Sequence, residues 1–366
     1  MDQLANGEPG VPASGEKVLK EFSFTGNAKE YFGIWIVNLL LSIVTLGIYT
    51  AWAKVRRLRY FYGNTWLDGH NFEYHARPVQ ILIGRIIVVG ILLVINLLIN
   101  FVSPLFGILI IPYLFAFPWL INKSLAFNAR MTTYRNVRLN FGGTYWGAFL
   151  IFVVMPIVAS LTLGLLAPVV SRMSSNYIGN HLGYGAARFA TDVPVGKLYG
   201  NLGGTIAFVL ILGVILGGVA AAAGVGYFEL SGIADISLDP PREMFKIMFA
   251  AGVVGLYIAV FLGVVFYMTG VRNHAFRHST LDDAHGFSST LGRGRYVWIL
   301  VSNLFVTLLT LSLMRPWAAV RSWRYLASNT SVLAAGSLDN FIDRAAPEGN
   351  VVTAEFFDIE GIDFGL

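Results

Sequence analysis

The sequence predicts an all-α polytopic membrane protein. It has three repeated short helical hairpins that either re-enter or span the bilayer, two full transmembrane hairpins, and small cytoplasmic β-strands. Three observations lead to this reading. First, the 366 residues are 55% hydrophobic and 13% charged, with mean hydropathy +0.64, whereas a soluble domain carries about 25% charge. Second, four runs are long, apolar and free of charge. Third, one short apolar unit recurs along the chain. Disulfides and thiolate metal sites are excluded because the chain has no Cys.

The N-terminal segment, 1–21, is polar and rich in Gly and Pro. It lacks a basic region followed by an apolar run, so it reads as a flexible cytoplasmic tail and not as a signal peptide. The membrane domain follows over 22–341, with repeats at 22–78, 137–190 and 285–341.

The first repeat runs from Phe22-Ser23-Phe24 through an apolar stretch to Thr45-Leu46-Gly47-Ile48-Tyr49, then to the basic segment Lys54-Val55-Arg56-Arg57-Leu58-Arg59. The last repeat matches it at one constant offset. Asn38 falls on Asn303 and Asn64-Thr65 on Asn329-Thr330, and Thr310-Leu311-Ser312 leads to Arg315-Pro316-Trp317, Arg321 and Arg324. The middle copy is degenerate but keeps Thr162-Leu163-Gly164 and Pro168. Tyr31 to Val44 is too short to cross a bilayer as a helix, only ~21 Å long, and Gly47 supplies a break.

The charge-free runs are Ile86 to Val102, Leu105 to Ile121, Thr205 to Phe228 and Ile247 to Val271. The first reaches the ~20 apolar residues that cross the hydrocarbon core when Val79 to Arg85 is added, where Arg85 can snorkel; the second is near the minimum, and the last two exceed it. Ser103-Pro104 turns the first pair into a hairpin, and the acidic connector Glu229 to Glu243 joins the second. Short alternations such as His70-Asn71-Phe72-Glu73-Tyr74 and Val137-Arg138-Leu139-Asn140-Phe141 read as strands. Strands cannot lie open in lipid, so they belong on the aqueous side, pairing into a small sheet.

Charge sets the topology. With seven simple spans the basic residues divide 10 to 15, which is no bias. If every repeat enters and leaves on the same side, they divide 22 to 2, with Arg85 left out of both counts and Arg315 of the second as residues within helices. The positive-inside rule favours the second arrangement, with both termini cytoplasmic. The segment 342–366 is an acidic C-terminal tail in which Phe356-Phe357 stands among carboxylates. It reads either as a docking segment or as a tail that packs on its own protein or does nothing specific.

Phe-x-Phe-x-Gly at 22–26, Thr-Leu-Gly-Ile-Tyr at 45–49, Ala-Trp-Ala-Lys-Val-Arg-Arg at 51–57 and Tyr-Gly-Asn-Thr at 62–65 resemble the YjgN-like family of bacterial inner-membrane proteins of unknown function. The likeness covers about 22–341 and is most specific over 45–65. It departs at Ala51, where the family carries Pro before the Trp; Pro316 keeps that residue in the last repeat. The resemblance implies a bacterial inner-membrane location and assigns no catalytic residue.

Chemistry is sparse. No P-loop, His-Glu-x-x-His or Gly-x-Ser-x-Gly motif occurs. His274, His278, Asp282 and His285 have the spacing of a metal cluster, but Arg272 and Arg277 would repel a cation. Neither a metal nor another cofactor is therefore expected. The basic residues Lys54, Arg56, Arg57, Arg59, Arg315, Arg321 and Arg324 either anchor the chain at the membrane surface as positive-inside residues do or bind an anionic lipid headgroup or substrate. Asn38 and Asn303 either line a path or bond helix to helix. The four long runs contain no acidic residue, which argues against ion-coupled transport.

Two functional readings lead, with an enzyme third. One is a permease or lipid-handling protein without ion coupling, with membrane lipids as partners. The other is a scaffold that recruits a cytoplasmic or membrane protein through its cytoplasmic face and acidic tail. Nothing points to nucleic acid.

Overall fold

The structure is a computed structural model and describes residues 17–231 and 242–346. The expectation of an all-α protein with a small sheet is overturned: among the described residues ten antiparallel strands close into a barrel. The strands are β1 (Lys17–Phe24), β2 (Thr65–Leu67), β3 (His70–Tyr74), β4 (Thr132–Tyr134), β5 (Val137–Phe141), β6 (Leu182–Tyr184), β7 (Ala187–Thr191), β8 (Ser279–Leu281), β9 (His285–Ser289) and β10 (Thr330–Ala335). Closure has a physical reason. Most of these strands are three to five residues long, too short to be stable as isolated pairs, and a ring leaves no unpaired edge. Pairing of β1 with β10 completes it.

Five helical hairpins rise from one rim of the barrel. Each is bracketed by two strands that pair with each other, so each leaves and rejoins the barrel at the same end. Three are short. The first is α1 (Ala28–Val44) and α2 (Thr50–Gly63). The third is α5 (Tyr145–Phe149), a π-helical turn (Leu150–Val154) and α6 (Met155–Leu161), returning as α7 (Ala167–His181). The fifth is α10 (Arg293–Leu309) and α11 (Arg315–Ser328).

The second and fourth hairpins are long. The second consists of α3 (Pro78–Leu97), continued by a π-helical turn to Val102, and α4 (Ile110–Arg130). The fourth is α8 (Val195–Ser231) and α9 (Arg242–Arg277). Among the described residues these hold the four helices long and apolar enough to cross a membrane. Their outer faces expose Leu, Ile, Val and Phe in number, as lipid-facing helices do and water-facing ones do not. In the fourth hairpin small residues bring the arms together: Gly255 and Gly263 of α9 pack against Leu216 and Val209 of α8.

The short hairpins share one turn. Leu46, Leu163 and Leu311 take φ of 50°, 50° and 48°, followed by Gly47 at 93°, Gly164 at 84° and Ser312 at 72°. The N–H groups of Gly47, Gly164 and Ser312 reach back to the carbonyls of Ser42, Ala159 and Thr307 at 2.7, 2.8 and 2.7 Å, a Schellman closure. The preceding Thr serves both helices. Thr45 Oγ1 donates to the Leu41 carbonyl at 2.7 Å and accepts from the Tyr49 N–H at 3.0 Å. Thr162 and Thr310 do the same in their own hairpins.

The barrel interior is built from equivalent positions. Leu67, Tyr134, Tyr184 and Leu281 end the first strands of four β-hairpins and are buried together. Phe72, Leu139, Phe189 and Phe287 pack against them from the returning strands. Tyr134 Oη donates to the Leu67 carbonyl at 2.7 Å and Tyr184 Oη to the Tyr134 carbonyl at 2.9 Å. Burial pushes the Tyr134 hydroxyl up to about 12 and raises that of Tyr184 too, so both remain hydrogen-bond donors at neutral pH.

A last helix, α12 (Leu338–Ala345), closes the barrel end away from the helical hairpins. Leu338, Phe341, Ile342 and Ala345 point inward and are buried. The Ala186 N–H donates to the Ala345 carbonyl at 3.0 Å, and Arg135 pairs with Asp339. A cavity of about 230 Å³ remains between plug and barrel. The 1–16 part of the expected N-terminal tail, the 232–241 part of the acidic connector and the Phe356-Phe357 segment lie outside the described residues.

Candidate functional site

The first and fifth hairpins, joined through α1 and α11, carry the basic segments singled out in the sequence. Between them and α3 lies a cavity of about 700 Å³. Lys54 and Arg57 enter from α2, Arg85 from α3 and Arg315 from α11. Tyr31, Trp35 and Leu39 of α1 form the apolar wall, and Asn38 and Ser42 add polar groups.

Each cation is placed by its helix. Lys54 and Arg57 share one face of α2 at a spacing of three. Arg85 Nη1 donates to Thr50 Oγ1 at 2.7 Å, which sets it beside the first residue of α2. Arg315 is the first residue of α11, and Pro316 at the second position suits a helix start. Among the described residues none of these four cations is in an ion pair. Four positive groups held together without a carboxylate repel one another, and a bound anion relieves that repulsion.

The remaining basic residues are distributed differently. Arg321 and Arg324 line a second cavity of about 710 Å³ with Arg295, Trp298 and Trp317. Arg321 stacks over the Trp317 ring and donates to Ser302 Oγ and Asn303 Oδ1 at 2.7 and 3.0 Å. Arg324 donates to the Gly26 carbonyl at 2.8 Å. Arg56 turns to Asn38 Oδ1 and Tyr49 Oη at 3.3 and 3.1 Å. Arg59 is spent on the carbonyls of Tyr74 and Ala76, both at 3.2 Å, tying α2 to the barrel rim. Asn303 donates to the Ala318 carbonyl and Ser322 Oγ at 3.1 and 2.9 Å, so it bonds α10 to α11. The structure therefore brings Lys54, Arg57, Arg315 and Asn38 into one cavity and sends the others elsewhere.

Arg85 is the member that reasoning from sequence left out. It reads there as a residue snorkelling at a helix end; only the packing of α3 on α2 brings it to the other cations. The signal was its position as a lone charge in an apolar run. Among the described residues no group of three His, Cys, Asp or Glu converges as a metal site. His274 and His278 lie on α9 with ring centroids 6.4 Å apart, while His285 faces Phe341 inside the barrel at 4.4 Å.

The chain is similar to the inner membrane protein YjgN of Salmonella typhimurium (strain LT2), with 26% identity over 358 residues covering 87% of this chain and 89% of the relative. It is also similar to the proteins of that name from Escherichia coli O157:H7 and K12, each at 23% identity over 364 residues with the same shares covered. No solved structure matches. The family described as bacterial protein of unknown function (DUF898) matches residues 19–359. With four membrane-length helices and this match along nearly its whole length, the chain is a multi-pass inner-membrane protein that belongs to the DUF898 family.

Proposed function

We propose that this protein binds anionic phospholipid in the inner membrane, with the headgroup in the cavity formed by Lys54, Arg57, Arg85 and Arg315. The observation that carries the reading is the convergence of four cations without a counter-charge in a cavity walled by Tyr31, Trp35 and Leu39. A phosphate diester satisfies the cations, and acyl chains lie along the apolar wall. Leu39 lines the cavity and is itself 37% exposed, so the apolar wall continues to the protein surface and gives a lipid entry from the bilayer. The barrel is on the cytoplasmic side, because the basic residues of the strands and helix ends cluster there. The cavity therefore takes lipid from the cytoplasmic leaflet.

The test is native mass spectrometry of protein extracted in mild detergent and supplied with phosphatidylglycerol or phosphatidylethanolamine. Wild type should retain phosphatidylglycerol preferentially. Arg57→Gln and Arg315→Gln should each weaken retention roughly fivefold, since a basic residue near the surface contributes about 1 kcal/mol. Equal retention by wild type and the double variant would reject the site. Displacement of the lipid by inorganic phosphate at matched concentration would assign the cavity to a soluble anion instead.

A further inference from the structure

The cations of this cavity are not at one depth. Thr50 and Arg315 are the first residues after the turns of the first and fifth hairpins, and Arg85 is bonded to Thr50. The Arg85 guanidinium thus reaches up to the first residue after the first tip, and Arg315 is the first residue after the fifth. Lys54 lies four residues nearer the barrel and Arg57 seven, which is ~6 and ~10 Å along a helix. The four form a stair from the tips toward the barrel rim, with Asn38 and Ser42 beside it.

The tips end inside the bilayer. Leu46, Leu163 and Leu311 are 95%, 95% and 88% exposed, and each holds a left-handed conformation that costs ~1–2 kcal/mol for an L-residue. An exposed, strained Leu at the same place in three turns fits hydrocarbon and not water. Length agrees. From a common rim α1 reaches ~25 Å, whereas Pro78–Val102 reaches ~37 Å and spans. Over three of its five units the protein therefore ends ~12 Å short of the full span, which shortens the distance a headgroup from the far leaflet must travel to Arg85 and Arg315.

We infer that the protein moves anionic phospholipid between leaflets, passively, with the headgroup descending from Arg85 and Arg315 past Lys54 to Arg57 while the acyl chains stay in the bilayer. This rests on the binding reading above and adds translocation to it. No bond is made or broken. Because the described part of the cavity carries no carboxylate, no proton- or cation-coupled step is invoked.

The experiment uses full-length protein in vesicles of phosphatidylethanolamine and phosphatidylglycerol with a trace of phosphatidylglycerol labelled fluorescently on its acyl chain. Dithionite bleaches the outer leaflet only, unless lipid exchanges. Wild-type vesicles should bleach nearly to completion, Arg315→Gln and Lys54→Gln should slow the second phase at least several-fold, and Arg315→Lys should restore it. Bleaching no deeper than in protein-free vesicles, by protein that still retains lipid in native mass spectrometry, would overturn translocation and leave binding standing. Equal rates for wild type and both Gln variants, each confirmed folded by its thermal transition, would also overturn it, because the route would then bypass the stair. Loss of lipid retention by wild type would remove the binding reading and this inference together.

Discussion

Arg321 Nη1 donates to Asn303 Oδ1 at 3.0 Å across the fifth hairpin, and Arg56 Nη1 makes the same bond to Asn38 Oδ1 at 3.3 Å across the first. The two pairs occupy matching positions of two hairpins and lock the outgoing arm to the returning one. Polar bonds suit this role in lipid, where packing of apolar surface gives no drive for helices to associate.

Asn303→Leu should therefore lower the thermal transition of detergent-extracted protein by the loss of a buried, multiply bonded amide, about 1–3 kcal/mol. Lipid retention at Lys54 and Arg57 should be unaffected, because Asn303 does not line that cavity. A loss of retention at unchanged stability would place Asn303 on the lipid's route.

The helical part of this architecture was legible in sequence because each signal is local. Thr45-Leu46-Gly47 and its two counterparts declare a helix end within three residues, and a charge-free run declares a span within twenty. The barrel was not legible because its pairings are distant: β4 pairs β3 across a whole hairpin, through Phe72 with Tyr134. One trace was present. Leu67–Phe72, Tyr134–Leu139 and Tyr184–Phe189 are each five residues apart, and Leu281–Phe287 is six because Asp282-Asp283-Ala284 adds a residue to the turn. Four similar β-hairpins at the feet of the helical hairpins are the mark of a ring. At the candidate site Lys54, Arg57 and Arg315 were legible as basic segments, but not that Arg59 would be consumed by backbone carbonyls of the barrel rim.

The plug helix α12 is a structural part of the barrel. Truncation after Ala346 should leave folding intact, whereas Phe341→Ala should cost about 3–5 kcal/mol, as removal of a buried Phe does. Phe341 stacks on Tyr184 at 6.2 Å and meets His285 at 4.4 Å. Urea denaturation followed by intrinsic fluorescence reads the difference.

The plug should also loosen in acid. Burial depresses the His285 pKa below its usual value, helped by Arg344 and Lys17 and opposed by Asp282. His285 Nδ1 accepts the Ala335 N–H at 3.2 Å, which requires that nitrogen to be unprotonated. A base whose pKa is lowered by folding contributes stability above its unfolded value near 6.5 and loses it as pH falls through the folded value. The thermal transition should drop below pH 6.5 in wild type, and this component should vanish in His285→Gln. An unchanged profile in the variant would assign the acid sensitivity to other groups.

Ser312 occupies the position that Gly47 and Gly164 fill in the other turns, with φ of 72°. Ser312→Gly removes the cost of a left-handed L-residue and should raise the thermal transition by about 1 kcal/mol equivalent. Gly47→Ser should do the reverse. Equal transitions for the two variants would mean that the turn is held by its Thr bonds alone.

The depth of the tips is open to direct measurement because the chain has no Cys. Leu46→Cys, Asp68→Cys and Phe101→Cys report on three levels: a short tip, a turn at the far end of the barrel, and the tip of a full hairpin. Phe101→Cys should react with a membrane-impermeant maleimide in intact spheroplasts, because it ends a span of 25 residues. Asp68→Cys should react only in inverted vesicles, with the barrel in the cytoplasm. Leu46→Cys should resist the reagent from both sides and react only after solubilisation in denaturant, because maleimide chemistry needs a thiolate, which hydrocarbon disfavours. Labelling of Leu46→Cys from the periplasm would show that the first hairpin spans. Labelling of Asp68→Cys in spheroplasts would invert the whole orientation and place the barrel in the periplasm.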